Sequence, residues 1–144
     1  MKLFISFKFD VDKHYRYLLN AWSQNPAFEI DFIDNTPSEI QSWDIGRIKA
    51  VLTKKIKDSD VVLVIIGNHS DDYHRDSDLI GFKNWQYYEI IKAKEFGKKI
   101  IALKIDRTNP TPSILYNSGA EWVYSFTKET ILQAINNVKP WWGW

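Results

Sequence analysis

The fold of this chain is decided by one unbroken aliphatic stretch, Val61-Val62-Leu63-Val64-Ile65-Ile66, which ends at Gly67. A strand with one face in water would alternate polar and apolar residues, whereas this stretch is apolar throughout. Such a strand is covered on both faces. The stretch therefore predicts a central strand of a parallel sheet with helices on both sides.

Extended and helical patterns alternate along the rest of the chain. Four further strands are predicted, at Leu3–Phe7, Phe28–Ile33, Lys99–Ile105 and Glu121–Tyr124. Helical spacing of apolar residues predicts four helices, through Tyr15–Trp22, Ile45–Ile56, Lys83–Phe96 and Thr127–Val138. This order predicts an α/β fold, a doubly wound three-layer sandwich with a five-stranded, mainly parallel sheet. We expect residues 1–144 to form a single domain.

Composition and charge exclude several classes of protein. The formal charge is +1, with 19 basic and 18 acidic residues spread along the chain, so no block of charge is suited to nucleic-acid phosphates. The chain contains no cysteine, which excludes disulfides and thiolate metal sites. No leader pattern or membrane-spanning run is present. We therefore expect a cytoplasmic protein with no nucleic-acid partner and no membrane association.

The motifs that mark common α/β enzymes are missing. There is no glycine-rich dinucleotide fingerprint after the first strand and no phosphate-binding lysine loop. No Gly-x-Ser-x-Gly elbow occurs, and Gly67-Asn68 stands where a response-regulator receiver would carry its aspartate. Hydride transfer, nucleotide triphosphate hydrolysis, ester hydrolysis and phosphoacceptor signalling are therefore not supported.

Two segments outside the predicted strands and helices stand out. The connection from Asn68 to Asn84 is long and contains two histidines and four aspartates, but their spacing matches no zinc or calcium signature, so no metal is expected. Residues 140–144 form an aromatic tail with Trp141, Trp142 and Trp144, for which packing or self-association is the favoured interpretation.

One carboxylate lies where an apolar side chain is expected. Glu89 follows Trp85 by one helical turn and falls within the apolar stripe that contains Ala93 and Phe96. Burial would raise its pKa and make it a candidate for catalysis, although Lys92, three residues on, is an alternative structural partner. Ligands of doubly wound sheets bind beyond the carboxyl ends of the strands, and this helix begins beside that crevice.

The opening strand, the central strand and the segment Asn84-Trp85-Gln86-Tyr87-Tyr88-Glu89-Ile90 together resemble a TIR domain. The resemblance is closest to the bacterial TIR-like proteins of the Thoeris antiphage-defence system, and it covers roughly the first 105 residues. It implies a flavodoxin-like fold. Catalytic TIR domains place a glutamate four residues after a tryptophan and cleave the nicotinamide-ribose bond of NAD. Gln86 departs from the cysteine that many TIR domains carry there.

The resemblance implies a set of roles for individual residues. Glu89 would be the catalytic glutamate, stabilising the positive charge that develops on the ribose. The remaining candidates would bind the substrate, with Trp85 stacking on nicotinamide or its ribose, Phe7 and Lys8 contacting a base and a phosphate, and Ser6 and Asp34 binding hydroxyls. NAD would be the substrate, with no cofactor. The product would be a cyclic ADP-ribose-type signal that activates a separate effector, with a homo-oligomer on activation and a phage-derived trigger.

Two other functions remain open. Many TIR domains are non-catalytic adaptors that self-associate, and the aromatic tail would suit such an interaction module. A nucleoside deoxyribosyltransferase shares the sheet and uses a glutamate nucleophile.

Overall fold

The structure is a computed structural model that describes residues 1–8, 15, 17–22, 24, 31–33 and 44–138, with only the backbone described for 31–33. The described residues include five strands, β1 (Lys2–Ser6), β2 (Asp31–Ile33), β3 (Val61–Ile66), β4 (Lys99–Lys104) and β5 (Glu121–Val123). The helices are α1 (helical residues 17–22), α2 (Ile45–Lys57), α3 (Ser77–Ile80), α4 (Trp85–Glu95) and α5 (Lys128–Val138). A 3-10 turn spans Ser113–Leu115.

All five strands belong to one parallel sheet with the order β2-β1-β3-β4-β5. The aliphatic stretch forms β3, at the centre of the sheet, and each of its six residues is buried. Its neighbours are β1, which pairs Ser6 with Val64, and β4, which pairs Ile66 with Lys104. The predicted doubly wound parallel sheet is therefore confirmed.

The two faces of the sheet carry separate hydrophobic clusters. On one face α2 and α4 pack over alternate residues of β1, β3 and β4, including Phe4, Val64 and Ala102. On the other face α5 and Leu19 of α1 pack over the intervening residues, including Ile5 and Leu63. Because side chains alternate across a strand, successive residues of β1 enter different clusters. This arrangement is the predicted three-layer sandwich, and it places Ser6 on the same face as α4.

Local signals set the ends of the two helices on that face. Asp44 caps α2 by accepting a hydrogen bond from the backbone nitrogen of Arg47, and Asn84 caps α4 in the same way through Tyr87. Past the end of α4, Gly97 adopts a positive φ of 66°, a conformation that glycine reaches without a steric penalty. Among the described residues, no helix combines the length and apolar character needed to cross a membrane.

Candidate functional site

The candidate site lies at the carboxyl end of β1, where the first half of α4 packs against the sheet. Ser6 is the last residue of β1 and is completely buried. From α4, Glu89 approaches the same point and is only 3% exposed. Ligands of doubly wound parallel sheets bind at this edge. Two residues that are far apart in sequence therefore meet at the position where a site was predicted.

Glu89 is held by a hydrogen bond from the sheet. The Ser6 hydroxyl donates to its Oε1 atom over 2.8 Å. Burial raises the pKa of Glu89 from 4.5 to about 8, and the Ser6 hydrogen bond opposes this rise. Lys92, the alternative structural partner, bonds to Glu95 at 3.0 Å instead. At neutral pH the carboxyl group is therefore mostly protonated while no ligand is bound.

Gln86 ties the ends of the two central strands together. Its amide nitrogen donates to the backbone oxygen of Ser6 at 3.1 Å and to that of Ile65 at 2.9 Å. The side chain is 4% exposed. Gln86 thus fixes the backbone that carries the Ser6 hydroxyl.

Asn84 anchors the long connection that precedes α4. Besides capping the helix, its side-chain nitrogen donates to the backbone oxygens of Ser70 and Asp72 at 2.9 and 2.8 Å. Ser70 in turn accepts a hydrogen bond at its hydroxyl oxygen from the backbone nitrogen of Gly67 at 3.0 Å. One asparagine therefore holds the connection against the start of the helix that carries Glu89.

The histidines and aspartates of this connection take part in local interactions. His69 contacts Asp72 at 2.6 Å, and Lys83 forms an ion pair with Asp71 at 3.1 Å. The Tyr87 hydroxyl also donates to Asp71. Within the described residues, no group of three or more histidine, aspartate or glutamate side chains is arranged to hold a metal ion.

The structure places the other predicted binding residues in different surroundings. Lys8 is half-buried, and its charge reaches His74, whose pKa is lowered mainly by burial and also by this lysine. Phe7 packs in the cluster on the face of the sheet opposite to Ser6. Trp85 is 7% exposed, belongs to the same cluster as Phe4 and meets the Tyr88 ring edge-on at 5.7 Å. Lys8 thus lies near the connection before α4, while Phe7 and Trp85 are packed in the core.

Two predicted features lie outside the described residues. Asp34 is one, and the aromatic tail at 140–144 is the other. Their predicted roles stay predictions.

A surface cavity of about 580 Å³ lies away from this site. It is lined by α2 residues, among them Lys49 and Thr53, together with Tyr88 and Asp58. Tyr88 contributes its hydroxyl, which is 2.8 Å from the Thr53 hydroxyl. The cavity includes neither Ser6 nor Glu89, so we assign the site from the buried carboxyl group and its partners rather than from cavity size.

Sequence reasoning did not identify two residues that shape the site. Asn84 could have been found, because asparagine immediately before a helix and three residues before Tyr87 is a typical cap. For Gln86 the family resemblance marked the position without assigning it a role, and a polar residue in the first turn of a helix is usually exposed.

Comparisons with known proteins agree with this architecture. The family model described as "Thoeris protein ThsB, TIR-like domain" matches residues 4–110. No curated protein matches the chain in sequence.

Solved structures share the fold at low sequence identity. The CMP N-glycosidase BcmB of Clostridium botulinum is 14% identical with a TM-score of 0.59, covering 95% of this chain and 99% of its own. A 2-desoxiribosyltransferase from Leishmania mexicana is 11% identical with a TM-score of 0.61, covering 95% and 98%. A prokaryotic SEFIR domain is 14% identical with a TM-score of 0.53, covering 95% and 88%.

Proposed function

Because the chain belongs to the family of TIR-like domains of the Thoeris protein ThsB, a family of antiphage-defence proteins, we propose that it cleaves the nicotinamide-ribose bond of NAD. The product is a cyclic ADP-ribose-type nucleotide, which activates a separate effector. The observation that carries the proposal is the buried Glu89 carboxyl group, held by Ser6 at the ligand-binding edge of the sheet.

A single carboxylate suits a leaving group that is already cationic. Nicotinamide departs from NAD without being protonated, whereas a neutral base needs a proton donor as well. Bond breaking builds positive charge on the ribose, as in other oxocarbenium-like reactions, and a fixed carboxylate stabilises that charge. Within the described part of the chain, Glu89 is the only buried acidic or basic residue. This chemistry therefore favours NAD as the substrate.

The raised pKa of Glu89 is compatible with this role. With a pKa of about 8, ionising the carboxyl group at pH 7 costs about 1 kcal/mol. A pyridinium cation about 4 Å away contributes roughly 4 kcal/mol at an effective dielectric constant of 20. The attraction exceeds the cost, so binding of the cationic substrate produces the carboxylate that the reaction needs.

Binding roles for the surrounding residues complete the proposal. The Ser6 hydroxyl keeps the Glu89 carboxylate in position, and Lys8 pairs with a phosphate of NAD, while Asp34 binds a hydroxyl. Trp85 and Phe7 are packed in the core on opposite faces of the sheet, so we give them a packing role rather than the predicted aromatic contacts to nicotinamide or its ribose and to a base. NAD enters as the substrate, with no cofactor or metal. The protein assembles into a homo-oligomer when a phage-derived trigger activates it.

A second candidate is cleavage of a nucleoside or nucleotide N-glycosidic bond with a neutral base. The fold likeness to a CMP N-glycosidase and to 2-deoxyribosyltransferases supports this alternative. Like NAD cleavage, those reactions break a bond at a pentose carbon. In the transferases a glutamate is the nucleophile. They differ from NAD cleavage in the leaving group, so the choice of substrate separates the two.

The deciding experiment is incubation of the purified protein with NAD, CMP or deoxyinosine, followed by separation of products by liquid chromatography and mass spectrometry. Each reaction is run with and without extract of phage-infected cells, which supplies the trigger. We expect nicotinamide and a cyclic nucleotide from NAD, and loss of both with Glu89→Gln. Glu95→Gln, an exposed glutamate on the same helix, is the control and should keep full activity.

The same experiment separates the remaining functions. Release of cytosine or hypoxanthine without release of nicotinamide would favour the second candidate. No turnover of any substrate, with or without extract, would favour a non-catalytic adaptor.

A further inference from the structure

The side-chain oxygen of Gln86 is a buried acceptor with no donor. Among the described residues, Gln86 Oε1 is the one buried side-chain nitrogen or oxygen atom that lacks a hydrogen-bond partner. Its orientation is fixed, because the amide nitrogen donates to two backbone oxygens, those of Ser6 and Ile65. Turning the amide over would place its oxygen against both carbonyl oxygens. The unpaired oxygen is therefore a property of the site.

Such an atom is costly and usually has a purpose. A buried carbonyl oxygen without a donor costs about 1 to 3 kcal/mol of stability. Unpaired groups are rare in folded proteins, and their persistence points to a ligand or to catalysis. Gln86 supplies the donor for the Ser6 and Ile65 backbone oxygens, and no described residue donates to its own Oε1 atom, which leaves that atom available to a donor from outside the chain.

Glu89 presents a second acceptor beside it. Glu89 and Gln86 are three residues apart on α4 and therefore project from the same side of the helix. Both are bonded to Ser6, one through its hydroxyl and the other through its backbone oxygen. No described residue donates to the second carboxyl oxygen of Glu89. Once binding of a cationic substrate ionises Glu89, the site therefore holds two neighbouring acceptors to which no described residue donates.

We propose that Gln86 is a specificity residue, whose Oε1 atom accepts a hydrogen bond from one hydroxyl of a ribose cis-diol while Glu89 accepts from the other. Two adjacent hydroxyls on one ring match two adjacent acceptors, whereas 2-deoxyribose offers one donor too few. The site therefore selects ribose over 2-deoxyribose. The assignment of this ribose to the nicotinamide half of NAD rests on the proposed function.

The test measures binding, so that it does not depend on turnover. In a Glu89→Gln background, isothermal titration calorimetry compares NAD with two analogues whose nicotinamide ribose lacks the 2′ or the 3′ hydroxyl. We expect Gln86→Met to weaken NAD binding about 3- to 10-fold, the range of one hydrogen bond. In the Glu89→Gln protein with Gln86 in place, one of the two analogues should bind about 3- to 10-fold more weakly than NAD. That analogue should lose no further affinity, beyond about 2-fold, when Gln86→Met is added.

A matched control separates this effect from a general one. Gln133→Met changes an exposed glutamine on α5 and should leave all three affinities unchanged. Equal losses with Gln86→Met for NAD and both analogues would overturn the proposal, because they would mean that Gln86 acts only by holding the strands.

A second measurement needs no change at position 86. In the Glu89→Gln protein, the carbon resonance of the Gln86 side-chain carbonyl should shift when NAD is added and should shift less with the analogue that lacks the donor. An unchanged resonance at saturating NAD would contradict the contact. Failure of the proposed function is seen separately, as the absence of nicotinamide release by the unmodified protein.

Discussion

Ser6 and Glu89, 83 residues apart in the chain, are joined by a hydrogen bond of 2.8 Å between the serine hydroxyl and the glutamate carboxyl group. The serine is the last residue of β1, where it pairs with Val64 of β3, and its backbone oxygen accepts a hydrogen bond from Gln86. The glutamate thereby gains a rigid partner. This relationship determines how the site should respond to pH and to substitution.

The first prediction concerns the pH dependence of turnover. In the proposed mechanism ionised Glu89 is the active form, and burial raises its pKa to about 8, so kcat/KM for NAD should rise with pH. We expect a rise of about tenfold per pH unit below pH 7, with a plateau above pH 8 to 9. Initial rates of nicotinamide release between pH 5.5 and 9.5 give the profile. A profile that is flat from pH 6 to 9 would show that Glu89 is ionised throughout and would contradict the assignment.

The second prediction concerns Ser6→Ala. The Ser6 hydrogen bond lowers the pKa of Glu89, so its loss should raise that pKa and move the midpoint of the profile to higher pH. The rate should fall more at pH 7 than at pH 9. Ser59→Ala removes another buried serine hydroxyl, one that donates to the backbone oxygen of Ile56, and should leave the midpoint unchanged. An unshifted midpoint for Ser6→Ala would exclude the proposed coupling.

The third prediction concerns the stability of Glu89→Gln. The pKa of Glu89 is raised in the folded protein, so between pH 4.5 and about 8 the folded state binds more protons than the unfolded state. Stability of the unmodified protein should therefore decrease as pH rises through this window. One pKa unit corresponds to about 1.4 kcal/mol, which gives a total of roughly 4 to 5 kcal/mol. The glutamine variant does not pay this penalty.

Urea unfolding of both proteins at pH 5 and pH 8.5 measures the difference. We expect the advantage of Glu89→Gln over the unmodified protein to grow by several kcal/mol between the two pH values. Glu95→Gln, in which the substituted side chain is exposed, should show no comparable growth. An advantage that shrinks with rising pH would contradict the raised pKa.

The fourth prediction concerns Asn84→Ala. Three hydrogen bonds are lost, one that caps α4 and two that hold the preceding connection, so we expect a cost of about 2 to 4 kcal/mol. Amide hydrogen exchange should accelerate in residues 68–84. Asp44→Ala removes the equivalent cap of α2 and should cost about 1 kcal/mol without changing exchange in that connection. Equal costs for both variants would show that Asn84 acts only as a cap.

Sequence patterns predicted the layers of this fold better than they predicted which side chains contact one another between the layers. The run from Val61 to Ile66 specified a strand buried on both faces, because its composition leaves no polar face. Helical periodicity also placed Glu89 among apolar residues. It could not identify Ser6 as the partner, because that contact depends on the register between α4 and β1, which no local pattern encodes.

Two other features show what sequence patterns did not predict. The helix α3 has only four residues, which is too short for a hydrophobic repeat to reveal. Phe96 was expected in the apolar stripe but is 36% exposed. It is the C-cap of α4, and the buried residues of this helix all lie between Trp85 and Ala93. Every residue from Trp85 to Ile90 is buried, including Gln86. The polarity of Gln86 therefore did not predict that its side chain is buried.

The neighbouring positions of β1 and β3 in the sheet have a consequence for synthesis on the ribosome. Leu3 pairs with Val61, so β1 obtains this inner neighbour only after β2 and α2 have left the exit tunnel. Ser6 then has to wait for α4 before Glu89 can reach it. A nascent chain therefore has no assembled site until α4, which carries Glu89, has also left the exit tunnel. Unfinished chains released by a stalled ribosome before that point would lack the hydrogen bond between Ser6 and Glu89.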